Sequence, residues 1–218
     1  MAHVKVAAIA VAGLLTSAAL LLSGTRTQFL VGGALVSAGV RLQDHLEPYD
    51  FVHEDATESP EQVWAEFQKQ NELSATVRER FPRTAEHPMV ALLVCMDSRI
   101  DTSELAGDTR GYYYVVRTAG SVLGPEEQEM LELAVANGVK LIVLTRHTDC
   151  AAEKAAGDPA MQAQYPTLTR GVLERDQRVA EFLARPLVAE RISSGALLVK
   201  QVVIETGSEH LLAGFPTR

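Results

Sequence analysis

The chain opens with an unbroken apolar run over residues 6–22, VAAIAVAGLLTSAALLL, preceded by His3 and Lys5. No polar stripe crosses it, as an amphipathic core helix would require. A basic start followed by such a run predicts a signal peptide or a membrane anchor, and so an exported or membrane-associated protein. Thr16-Ser17-Ala18 offers small residues for cleavage, although three leucines follow at 20–22. A second apolar stretch at 29–40, FLVGGALVSAGV, carries three glycines and is short for a bilayer. The alternative is that both stretches are buried helices of a cytoplasmic protein. Residues 44–58 are acidic, contain a proline and show no period, which predicts a linker. The expected organisation is therefore an apolar segment over 1–43, a linker over 44–58 and one domain over 59–218.

From Ser59 the pattern becomes that of a folded domain. Pro60 stands at a first helical position and Gln62 completes a capping box with Ser59. Val63, Trp64, Phe67 and Leu73 give a broken apolar stripe, predicting a helix that ends near Phe81-Pro82. Apolar runs of strand length follow at 89–96 (MVALLVCM), 112–116 (YYYVV), 139–145 (VKLIVLT) and 196–204 (ALLVKQVVI). Tyr112, Tyr113 and Tyr114 read as strand packing. Between the second and third runs Pro125 opens a helix, Glu126 and Glu127 suit its positive end, and Gly138 stops it. A longer helix is expected over 168–183. Strands alternating with helices predict an α/β fold, with a parallel-stranded central sheet flanked by helices.

Composition narrows the function. With 218 residues, 47% of them hydrophobic, the chain can bury one sizeable core. A formal net charge of -8 supplies no basic surface for phosphates, so no nucleic-acid partner is expected. Only 2 cysteines are present, too few for a disulfide framework.

In open parallel sheets, ligands collect outside the carboxyl ends of the strands. The first strand here ends in Cys95-Met96-Asp97-Ser98-Arg99, the second in Arg117-Thr118-Ala119-Gly120-Ser121, and the third in His147-Thr148-Asp149-Cys150. Both cysteines and a histidine thus converge on one edge. Thiolate and imidazole are donors that zinc prefers, and three protein ligands leave the open position of a catalytic site. Zinc lowers the pKa of a bound water to roughly 7. Asp97 lies close enough to accept a hydrogen bond there, and Arg99 can hold Asp97 in a bidentate pair. Released from Arg99, Asp97 could instead swing in as a fourth ligand.

The set CMDSR, VVRTAGSV and HTDC, within a stretch from about residue 63 to 205, resembles the β-class carbonic anhydrases. The resemblance implies zinc ligation by Cys95, His147 and Cys150, an aspartate–arginine dyad at Asp97 and Arg99, and reversible hydration of CO2 to bicarbonate. It also implies a homodimer or dimer of dimers, with the helix at 59–80 embracing the partner. Two positions depart from the family pattern. Thr118 stands where asparagine is usual. Ala151 stands where glycine is usual, adding a methyl group and losing the freedom of positive φ.

Other readings remain open on these residues. The same site could hydrolyse carbonyl sulfide or carbon disulfide, or serve a non-catalytic zinc- or bicarbonate-binding module tethered to a membrane. Cys95 and Cys150 could pair as a disulfide in a redox protein. Arg117 reads as serving a subunit interface or a nearby carboxylate, and Asp149 as a turn or capping residue. His53, His87 and His210 are candidate proton shuttles, each also readable as an exposed histidine.

Overall fold

In a computed structural model of the chain, residues 24–44, 59–81, 88–106 and 113–213 are described. The run at 6–22, most of the acidic linker, His53, His87 and Tyr112 lie outside them. The chain divides into two compact units, Met1–Ser74 and Ala75–Arg218. In the first, the stretch at 29–40 falls within helix α1 (Thr25–Asp44). Helix α2 (Pro60–Arg80) crosses the division and begins with the expected capping box. The Ser59 N–H donates to Gln62 Oε1 at 2.6 Å, and the Gln62 N–H donates to Ser59 Oγ at 3.3 Å. Among the described residues, no helix is long and apolar enough to cross a membrane.

The second unit is an α/β domain around a five-stranded sheet of order β2-β1-β3-β4-β5. Its strands are β1 (Val90–Cys95), β2 (Tyr113–Thr118), β3 (Leu141–His147), β4 (Leu198–Ile204) and β5 (Leu211–Ala213). The first four are parallel, as the alternation with helices requires. β5, absent from the sequence reading, is antiparallel to β4. The long helix expected over 168–183 is two helices, α7 (Pro166–Leu173) and α8 (Arg175–Leu183), parted at Glu174, whose ψ of 2° leaves the helical range.

The strands differ in burial. β1, flanked by β2 and β3, is buried from Ala91 through Cys95, as its continuous apolar run predicts. β2 is an edge strand, and its Tyr114 and Val115 are partly exposed. The main core joins Ala91 and Leu93 to Ile142 and Leu144, and to Leu131, Phe182 and Val188 from helices α4 (Pro125–Ala136), α8 and α9 (Pro186–Ser193). A smaller cluster on the other face holds Leu92, Val94, Ile100 and Ile204, with Leu105 of the short helix α3 (Thr102–Ala106) packed against it.

This topology places the site. The chain leaves β1 for β2 on one side and returns to β3 on the other, so the carboxyl ends of β1 and β3 flank a topological switch point, where a crevice opens. The register aligns Cys95 with Thr118 and His147 with Ile204, bringing the four parallel strand ends to one edge.

Candidate metal centre

Cys95 is the last residue of β1, His147 the last of β3, and Cys150 the N-cap of helix α5 (Ala151–Gly157). All three are buried, and one ligand atom from each lies within 4.8 Å of the other two. Both cysteines are free thiols. His147 Nε2 is buried with no hydrogen-bond partner among the described residues. Leaving a buried polar atom unpaired costs on the order of 1–3 kcal/mol, so such atoms call for an explanation.

The network behind the imidazole supplies one. Thr206 Oγ1 donates to the Thr148 carbonyl, which leaves its oxygen as an acceptor. His147 Nδ1, 3.1 Å away, is then the donor. Nδ1 therefore carries a proton, which leaves Nε2 as the ring nitrogen that can ligate a metal. This is the tautomer a metal-ligating histidine adopts.

The two sulfurs differ. The Gly120 N–H donates to Cys95 Sγ at 3.3 Å. The Cys95 thiol is held below its ordinary range, chiefly by the hydrogen bond from Cys150, with the Gly120 N–H among the lesser donors. The Cys150 thiol is pushed up, first by that same contact and then by burial.

Asp97 and Arg99 form the bidentate pair anticipated from their spacing. Arg99 Nε donates to Asp97 Oδ1 at 3.0 Å and Nη2 to Oδ2 at 2.8 Å. The Arg99 N–H adds a third bond, to Oδ1 at 3.0 Å. These contacts hold the Asp97 carboxyl well below the usual carboxylate range. Its Oδ2 stands 4.0 Å from His147 Nε2. Arg99 also reaches the β3 segment, donating from Nη1 to Asp149 Oδ2 at 2.9 Å and from Nη2 to the Asp149 carbonyl at 3.1 Å.

The neighbours of these residues make contacts of their own. Asp149 is a turn residue, with φ 60°, but the helix cap is Cys150. The Asp149 side chain instead takes Lys154 and Arg99, in that order of influence, and is lowered to about 2. Arg117 donates to the carbonyls of Cys95, Asp97 and Ile100, at 3.3, 2.9 and 2.6 Å, and so braces the loop after β1. At Ala151 no positive φ is needed, because the left-handed residue of this turn is Asp149. Ala151 opens α5 with its methyl group exposed. Thr118 closes its own turn, donating to the Val122 carbonyl at 2.8 Å. His210 is exposed in the loop before β5.

Thr206, Gly120 as a sulfur donor, and the supports behind Gly120 were missed. Thr206 was findable, since it lies two residues past the end of β4 on the ligand edge. Nothing local in the sequence marks the others.

With this geometry in hand, the family assignment follows. A profile of the family described as carbonic anhydrase matches residues 90–211, more than half of the chain. The chain belongs to that family, in its β class. Beta-carbonic anhydrase 1 of Mycobacterium tuberculosis and of Mycobacterium bovis are each 34% identical over 64 residues, 28% of this chain. The chain spans only 38% of the length of those relatives. Among solved structures, a tetrameric beta-carbonic anhydrase from Sordaria macrospora is similar, with a TM-score of 0.52 and 18% identity, covering 70% of this chain and 96% of that one. The beta-carbonic anhydrase CafA of Aspergillus fumigatus gives 0.52 and 20% over 69% and 89%. At such identities these likenesses establish the fold.

Proposed function

We propose that the protein catalyses the reversible, zinc-dependent hydration of CO2 to bicarbonate and a proton. The observation that carries this reading is the unpartnered His147 Nε2, buried between two free thiols and facing a carboxylate held by arginine. Cys95, His147 and Cys150 would hold the zinc, which when bound supplies a hydroxide nucleophile at neutral pH. Asp97 stays ionised because Arg99 satisfies both its oxygens, so Oδ2 is an acceptor that orients the nucleophile and does not donate to it. Arg99 in turn is anchored to Asp149, which ties the carboxylate to the segment carrying His147 and Cys150. Arg117 keeps the loop backbone behind Cys95 and Asp97 in place. The released proton leaves to solvent.

Homodimer formation belongs to the same reading. Trp64, Phe67, Leu73 and Val77 on α2 are each more than half exposed, an apolar surface suited to a second copy. Sedimentation of the purified protein tests it. Export or anchoring rests on residues 6–22 alone, and membrane fractionation with N-terminal sequencing tests it.

Zinc content and stopped-flow CO2 hydration, measured together in wild type and Cys150→Ser, test the activity. About one zinc per chain with rapid hydration, both lost in the variant, is expected. Bound zinc with no hydration above buffer would sink the reading, as would fast sulfide release from carbonyl sulfide with negligible hydration.

A further inference from the structure

Arg175, the first residue of α8, is only 7% exposed and has no part in the site described above. Its guanidinium is divided between two segments. Nη1 donates to the Gly120 carbonyl at 2.6 Å, and Nη2 donates to Glu153 Oε1 at 2.5 Å. Each segment leads to a different sulfur. Gly120 is the residue whose N–H donates to Cys95 Sγ. Glu153 lies in the first turn of α5, the helix whose N-cap is Cys150 and whose Lys154 N–H donates to the Cys150 carbonyl at 3.1 Å.

The turn at Gly120 tolerates little movement. Its φ is 65°, and a Cβ there would meet Val172 Cγ2 at 3.0 Å and Ala152 Cβ at 3.2 Å. Glycine is required on both counts. The N–H aimed at Cys95 therefore depends on where the turn is held, and Arg175 holds it by its carbonyl.

We propose that Arg175 is a positioning residue that sets the placement of both metal-ligating sulfurs, linking the turn that serves Cys95 to the helix that begins at Cys150. The inference rests on the zinc-site reading above. Among the described residues the Arg175 Nε has no partner, so the guanidinium is held through its two Nη atoms. Burying an ion pair is weak support for stability in itself, and apolar replacements of such pairs are often neutral. Glu153, partly exposed, can be hydrated when its partner is removed. A positioning role and a merely structural one thus predict different outcomes.

The test compares wild type, Arg175→Met and Arg175→Lys as full-length zinc proteins. Zinc release to a chromogenic chelator, the thiolate-to-metal charge-transfer band of the cobalt(II) forms, and thermal unfolding of the metal-free proteins are measured. Arg175→Met should release zinc about 10–100-fold faster and shift the cobalt band, while metal-free unfolding stays close to wild type. Arg175→Lys, with one compact ammonium in place of the guanidinium fork, should fall between, and it carries the test if the Met variant does not fold. Wild-type release and spectra in both variants overturn the inference. So does faster release that only tracks a loss of metal-free stability. A wild-type protein that takes up no zinc overturns the proposed function along with it.

Discussion

The segments after β1 and after β3 contribute to the same centre but are held in place differently. Residues 95–100 are fixed from outside: Arg117 takes three of their carbonyls, and Gly120 reaches the sulfur from the end of β2. Residues 147–150 largely shape themselves, through a left-handed Asp149 and a helix that starts at Cys150, with Thr206 behind the imidazole. Their sulfurs differ accordingly, Cys95 favouring the thiolate and Cys150 the thiol. A motif compact in sequence can therefore depend on distant residues for its geometry, and Arg99 joins the two segments through Asp97 and Asp149.

The largest effect should come from the β1 side. Asp97→Asn keeps the shape but removes the carboxylate that Arg99 grips, so zinc should stay while CO2 hydration falls by about a hundredfold or more. Metal analysis beside stopped-flow rates checks it; loss of zinc would mean that Asp97 supports the ligands instead. On the β3 side, Thr206→Val removes the acceptor that fixes the His147 tautomer. Zinc affinity should weaken by about 10–100-fold, read by chelator competition. An unchanged affinity would show that the imidazole needs no such anchor.

A smaller effect sharpens the contrast between the sulfurs. In chelated protein, iodoacetamide should label Cys95 several-fold faster than Cys150, because the thiolate is the nucleophile. Peptide mass spectrometry reads the ratio, and equal labelling would erase the difference. The smallest effect concerns the bridge between the segments. Asp149 is lowered to about 2 in the folded protein, so its contribution is complete above its unfolded value near pH 4 and is lost as pH falls toward 2. Thermal unfolding across that window should decline less in Asp149→Asn than in wild type. Parallel curves would remove Asp149 from the account.

Most of the fold was legible in order along the chain. Buried parallel strands must be continuously apolar, so β1 and β3 announced themselves, and the capping box at Ser59 marked the start of α2. The short helices α5 and α6 (Pro159–Gln164) and the strand β5 were not legible, because elements so brief carry too few residues to show a period. Nor could the runs reveal that β2 is an edge strand, since YYYVV is apolar whether or not a neighbour covers it.

What the sequence determined by itself is the chemistry of the centre: two thiols, an imidazole and a C-x-D-x-R spacing that lets an arginine grip the carboxylate two residues before it. Spacing within a few residues fixes such contacts because the chain between them is too short to offer many alternatives. Tertiary structure alone decided what stands behind each ligand. Gly120, Arg175 and Thr206 lie 25, 80 and 111 positions from Cys95 along the chain, and only the closing of the sheet brings them to the same edge. Hydrogen bonds between residues so far apart leave no periodic trace, because they depend on packing in three dimensions and not on neighbours in sequence.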